Sequence, residues 1–126
     1  MDMSLVLEKQ TIAIMPQIRI LTIKCNVPDE VDMDEMYLKY EGEKFWPVEQ
    51  LYYRMDVDDL AVINHVLEVQ EGWNTIALWD HDFVTLNDHL GDFRINVENP
   101  GKYSASLEVN IRETETASYY MEYMVL

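Results

Sequence analysis

Apolar and polar residues change places in short runs along almost the whole chain, and the period of those runs is that of a β-strand. Ile18-Arg19-Ile20-Leu21-Thr22-Ile23-Lys24-Cys25 is a β-branched run, too short and too apolar for a surface helix. Met36-Tyr37-Leu38-Lys39-Tyr40 runs into Glu41-Gly42-Glu43, a hairpin turn signal. Phe45-Trp46 to Tyr53 reads as a strand that continues beyond Pro47, which places the proline at an edge or a bulge. Leu60 to Val69 follows, then a Glu71-Gly72 turn, then Thr75-Ile76-Ala77-Leu78-Trp79. Beyond an acidic loop lie Phe93 to Val97, the turn Asn99-Pro100-Gly101, Tyr103 to Val109, and a last run from Tyr119 to Val125. Ser4 to Ile14 is a weaker candidate for the first strand. Only Val48 to Tyr53 has any helical character, and it is too short to matter. About eight or nine short strands at spacings of roughly 10 residues predict an all-β protein, an antiparallel β-sandwich.

Length and composition narrow the function. A chain of 126 residues is expected to form a single domain, 1–126, with a core that needs no staples. Hydrophobic residues at 48% and charged residues at 26% exclude a disordered chain. Against 24 acids stand 9 Lys and Arg, a formal charge of −15 that repels nucleic acid, and anionic membranes too unless cations intervene. No nucleic-acid partner is expected. The single cysteine, Cys25, allows no internal disulfide and no four-thiolate zinc site, and at the end of a core strand it reads as a small buried hydrophobe. Met1 to Met15 has no basic start, and Glu8 and Lys9 interrupt its apolar stretch, so no signal peptide is expected. The expected compartment is the cytoplasm, or the exterior by a route without a leader. The chain has no Gly-x-Ser-x-Gly, no His-Glu-x-x-His and no phosphate-cradling glycine loop, so a non-enzymatic role is expected.

The candidate chemistry lies with aspartate. Of 11 Asp, nine fall in three tight groups between predicted strands: Asp29, Asp32 and Asp34; Asp56, Asp58 and Asp59; Asp80, Asp82 and Asp88. Asp is favoured in turns because its side chain caps local amides, and this explains one or two per loop. Other loops, at Glu41 to Lys44 and Asn99 to Lys102, have none. Two carboxylates about 5 Å apart repel by roughly 3 kcal/mol at an effective dielectric near 20. A hard divalent cation removes that repulsion, and Ca²⁺ accepts six to eight oxygens from flexible loops where Mg²⁺ demands a stiffer octahedron. Calcium ligation and solvated, self-capping turns therefore stand as the two readings. His81 and His89 flank the third group and could with Asp82 hold a transition metal, but incidental histidines in a carboxylate loop are the simpler account.

Trp79-Asp80-His81-Asp82-Phe83-Val84-Thr85-Leu86-Asn87-Asp88-His89-Leu90-Gly91 resembles the third calcium-binding loop of C2 domains: aromatic-Asp-x-Asp, five residues, Asp, two residues, Gly. Thr75 to Trp79 is similar to the strand that leads into that loop. Asp32-Met33-Asp34-Glu35-Met36-Tyr37-Leu38-Lys39 is similar to the first loop and the strand after it, with Glu35-Met36 where the family has a proline. The resemblance covers roughly residues 18 to 97. It implies that Asp80, Asp82 and Asp88 are third-loop ligands, that Asp34 is a first-loop ligand, and that Asp29 or Asp32 is the other. No motif position assigns Asp58 or Asp59. Only isolated Lys24, Lys39 and Lys44 stand where membrane-binding C2 domains carry a lysine-rich strand, and the chain after Asn99 is one strand longer than the family needs. The resemblance thus implies a C2-like sandwich and does not carry lipid binding with it.

Val31 and Met33 interleave with the first acidic group, and Phe83, Val84 and Leu86 occupy the tip of the third loop. Either these apolar tips dock a protein or lipid partner beside the ion, or they fold back on the sandwich rim. The expectation is a Ca²⁺-binding C2-like interaction module, with a protein partner or larger assembly on its apolar tips, membrane contact only with Ca²⁺, and a homo-oligomer compatible with the composition. The alternative is a structural or accessory subunit of a larger assembly, its acidic loops solvated or holding a structural ion.

Overall fold

The computed structural model describes residues 15–109 and 117–126, and every alternating run that falls within them is a strand; no helix occurs among the described residues. In chain order the strands are β1 (Gln17–Val27), β2 (Asp34–Tyr40), β3 (Glu43–Trp46), β4 (Tyr53–Met55), β5 (Leu60–Glu68), β6 (Gly72–Asp80), β7 (Asp88–Val97), β8 (Gly101–Ser106), β9 (Glu108–Val109) and β10 (Ser118–Val125). They form two antiparallel sheets, one in the order β5-β1-β10-β8 and one in the order β3-β2-β6-β7-β9, with β4 also paired to β2. The protein is an all-β sandwich. Ser4 to Ile14 lies outside the described residues.

Among the described residues ten strands stand where eight or nine were expected for the chain, for two local reasons. The run from Phe45 to Tyr53 is broken: β3 stops at Trp46, and the chain leaves the sheet at Pro47 before returning as β4. Proline has no N–H for the ladder, so the sheet cannot be continued through it. The two pieces lie along one side of β2, β3 against Leu38 to Tyr40 and β4 against Asp34 to Met36. The run from Tyr103 to Val109 is also divided, because the chain changes sheets at Leu107, whose N–H bonds the Tyr119 carbonyl at 2.9 Å. On the far side, β9 lies so close to β7 that a Cβ on Gly91 would sit 2.4 Å from the Glu108 carbonyl oxygen. A glycine is required there by contact and not by backbone angle.

The hairpin at Glu41-Gly42 has positive φ at both central residues, 51° and 82°, the signature of a two-residue turn matched to strand twist. The inward positions of both sheets meet in one core. Ile18, Ile20, Ile23 and Cys25 of β1 and Tyr119, Met121 and Tyr123 of β10 belong to the same buried cluster as Met36, Leu38, Ile76, Leu78, Phe93 and Ile95. Each such large side chain contributes roughly 1.5–3 kcal/mol by its removal from water. Burial also pushes the Cys25 thiol up to about 11, which leaves it protonated and inert at neutral pH. Among the described residues three polar or charged side chains share this interior: Asp34, Asn74 and Asp80. Asn74 is accounted for by structure alone. It accepts from the Tyr40 hydroxyl and the Gln70 N–H and donates to the carbonyls of Gln70 and Gly72, which stitches the turn between β5 and β6.

Candidate metal site

The two buried aspartates lie at one end of the second sheet, where the first loop, residues 28–33, meets the third, residues 81–87. Ladder register brings them there. Met36 of β2 is opposite Asp80 at the end of β6, and Asp80 is opposite Asp88 at the start of β7. The third loop is therefore closed at its base by a pair of acids.

Asp80 is almost wholly buried, and one of its oxygens accepts the Glu35 N–H at 2.7 Å. Burial, with the charges of Asp34 and Glu30 nearby, pushes its carboxyl up to about 8. Its other hydrogen-bond partner is the Glu30 carboxylate, itself shifted upward by burial and surrounding acids. Asp29, Asp80 and Asp88 each bring a carboxylate oxygen within 4.8 Å of the other two. Oxygens bound to one calcium ion at 2.3–2.6 Å can lie at most about 5 Å apart, so this spacing fits a shared divalent cation. One member comes from the first loop and two from strand ends, all acidic, with no thiol or imidazole among them. Such an oxygen set suits a hard ion and not zinc or copper.

The remaining acidic residues do other work. Asp34 is fully buried at the start of β2, and its carboxylate accepts the N–H groups of Asp29 (2.9 Å to one oxygen) and Glu30 (3.1 Å to the other). The Tyr119 hydroxyl, from the opposite sheet, donates to it at 2.5 Å. Burial raises the Asp34 acid, and these hydrogen bonds oppose the rise. With its lone pairs occupied in this way, Asp34 shapes the first loop and is not one of the three converging acids. Asp82 likewise closes its own loop, accepting from Val84 N–H (2.9 Å), Thr85 N–H (3.3 Å) and the Thr85 hydroxyl (2.8 Å). Those bonds hold its carboxyl below the ordinary value. Asp32 is exposed and lines a depression with Glu30, Met33, Arg54 and Asp56. In the loop before β5, Asp59 caps the Asp56 N–H and Asp56 caps Val57, while Asp58 takes the left-handed turn position at φ 67°. That loop is a self-capped turn.

Of the six aspartates expected as ligands, three converge: Asp29, Asp80 and Asp88. Glu30 belongs beside them through its bond to Asp80, a participant that counting aspartates alone missed although it directly follows Asp29. The histidines separate. His89 points to the outer sheet face, stacked on Trp79 (4.8 Å between centroids) and bonded to Asp92 at 2.8 Å. His81 stacks on Tyr52 at 5.3 Å, and no hydrogen-bond partner among the described residues reaches its Nε2.

The apolar tips divide between the two expectations for them. Val31, Val84 (91% exposed) and Leu86 (89%) stand in solvent. Phe83 keeps 70% of its surface exposed yet lays its ring edge on His81 at 4.6 Å and Tyr52 at 5.8 Å. Met33 is half-buried in the depression beside Arg54. No family model matches the chain, and no curated protein does either. No helix among the described residues is long and apolar enough to cross a membrane.

Proposed function

We propose that this chain is a C2-like, non-enzymatic module that binds Ca²⁺ between its first and third loops and uses the ion to present an apolar rim to a protein partner. The convergence of Asp29, Asp80 and Asp88 within 4.8 Å carries this reading, because three acids so close, one of them buried, can all be ionised at neutral pH only when a cation offsets their charge. Asp29 and Glu30 are held by Asp34, and Asp88 by the β6–β7 ladder, so an ion at their centre would tie a mobile element type to a rigid one. Val31, Val84 and Leu86 extend from those same two loops. At −15 the module would touch an anionic bilayer only with the cation in place.

Calcium titration with thermal melting tests the reading. For a dissociation constant near 10 μM, millimolar Ca²⁺ stabilises the fold by about 2.7 kcal/mol, a rise of roughly 10 °C at this chain length. Asp88→Asn should abolish most of that gain without lowering the melting temperature in chelator. Asp82→Ala should do the opposite, keeping the calcium gain while melting lower in chelator, because it removes a loop cap. A parent that melts identically with calcium and with chelator overturns the proposal. It would favour a second reading, an accessory subunit with solvated acidic loops, which the capping roles of Asp34, Asp56, Asp59 and Asp82 support.

A further inference from the structure

Strand β5 lies at the edge of the four-stranded sheet, and among the described residues nothing pairs with its side away from β1. The Asp59 carbonyl accepts from Cys25 N–H at one end and Val69 N–H donates to the Pro16 carbonyl at the other, so odd-numbered residues turn their backbone groups toward β1. Leu60, Val62, Val66 and Glu68 therefore offer theirs to the open edge. The side chains of the same four residues stand on the outer face, where Val62 is 70% exposed and Leu60 56%. From Leu60 to Glu68 the only formally charged residue is Glu68, in a chain of net charge −15.

We propose that this edge pairs with the β5 edge of a second copy of the chain, antiparallel about Asn64, so that the two four-stranded sheets join into one. The register follows from the strand itself. Centring on Asn64 sets Val62 opposite Val66 of the other copy, twice, and Leu60 opposite Glu68, twice, all through residues whose N–H and C=O already face outward. Shifting the register by two residues would place a valine against Asn64 or Glu68 and lose the valine pairs. One charge pair favours this register, against the repulsion of Glu68 by Asp58 and Asp59 that adjoin Leu60. Lys24 is the β1 neighbour of Leu60, so it lies two strand spacings, about 10 Å, from the Glu68 of the other copy. That is within the combined reach of the two side chains. Elsewhere two such acidic chains repel, and this nearly neutral edge is where they can approach.

Asn64 has φ 46°, and β5 carries one more residue than β1 between the pairs Val62–Thr22 and His65–Ile20. Such a bulge commonly protects an edge from pairing. Here it falls on the two-fold axis, where Arg19 Nη1 holds the Asn64 side chain at 2.8 Å, and the stretches on either side remain regular. The interface belongs to the weak class below about 1,200 Å².

Sedimentation velocity on the full chain tests this, from about 10 μM to about 0.5 mM, the range suited to so small an interface, in NaCl of about 0.3 M to screen the net charge. The expected result is a mass that rises from 14.9 kDa toward twice that value. The double variant Val62→Glu, Val66→Glu stays monomeric throughout and melts like the parent when dilute. Lys24→Glu weakens association severalfold, and adding Glu68→Lys restores it. Hydrogen exchange at the Val62 and Val66 amides slows as concentration rises. A parent that remains monomeric at the highest concentration, or a dimer that survives the double variant, overturns the proposal. Protection of those amides that is independent of concentration also overturns it, since another part of the same chain would then cover the edge.

Discussion

At Asp80 a carboxyl group is buried with Glu30 and Asp34 as neighbours and keeps its proton up to about 8, against an ordinary value of 3.8. The folded state therefore holds this proton where the unfolded chain has released it. Without a cation, the contribution of Asp80 to stability falls as pH rises from about 4 and levels off above about 8. Asp80→Asn retains an oxygen for the Glu35 amide but has no proton to lose. In chelator it should melt higher than the parent at pH 8, and the two should converge toward pH 4. Parallel melting profiles across that range would remove Asp80 from the account. Tyr119 makes the complementary case. Among the described residues its hydroxyl is the one side-chain donor on the buried Asp34 carboxylate, reaching across from the other sheet. Tyr119→Phe leaves that carboxylate short of a partner, with an expected cost of about 1–3 kcal/mol in denaturant unfolding. An unchanged midpoint would mean that water or a shifted loop replaces the bond.

Among the elements, β9 is the smallest, two residues long, and it depends on how closely β7 lets it approach. Gly91 makes room for it, since a methyl group there would meet the Glu108 carbonyl oxygen at 2.4 Å. Its partner atom is backbone, which cannot swing aside as a flexible side chain would. Gly91→Ala should detach β9 and destabilise the fold by about 1–3 kcal/mol, read as a lower denaturant midpoint with faster exchange at the Glu108 and Val109 amides. If both quantities hold, the strand has another means of support. The third loop shows element-level economy of another kind. Asp82 caps Val84 and Thr85, Asn87 accepts from Asp82 N–H, and Asn87 donates to the Tyr37 hydroxyl, so its backbone is shaped by bonds within the protein.

For the whole molecule the dominant quantity is the charge of −15. At low ionic strength the acids repel across distances comparable to the Debye length, roughly 30 Å at 0.01 M and 8 Å at 0.15 M. Anionic liposomes are repelled by the same field, so co-sedimentation with them should need calcium and vanish in chelator. Equal pelleting in both conditions would refute the electrostatic argument. Absence of pelleting in both leaves a protein partner for Val31, Val84 and Leu86.

Period and turn chemistry are local properties, and so the strands were legible in the chain: Ile18 to Cys25, Leu60 to Val69 and Tyr119 to Val125 needed no partner to declare their alternation. Glu41-Gly42 and Pro47 carried their backbone preferences with them: the expectation of an edge or a bulge at Pro47 meets an edge strand, β3, that stops just before it and leaves a gap. Clustering of acids between strands was equally plain, and the first and third groups do lie at one end of the sandwich. What the one-dimensional order could not determine is which oxygens meet. Asp34 and Asp29 are five residues apart in one acidic loop, yet Tyr119 draws the first into the core as a cap while the second turns toward Asp80 and Asp88. Asp82 has the spacing of a ligand but finds Val84 and Thr85 close by, and a carboxylate bonds the donors within reach. Glu30 enters only because β2, β6 and the first loop bring it against Asp80. Each of these assignments depends on contacts between residues distant in the chain or on competition for one carboxylate, and only the packed sheets decide such contacts.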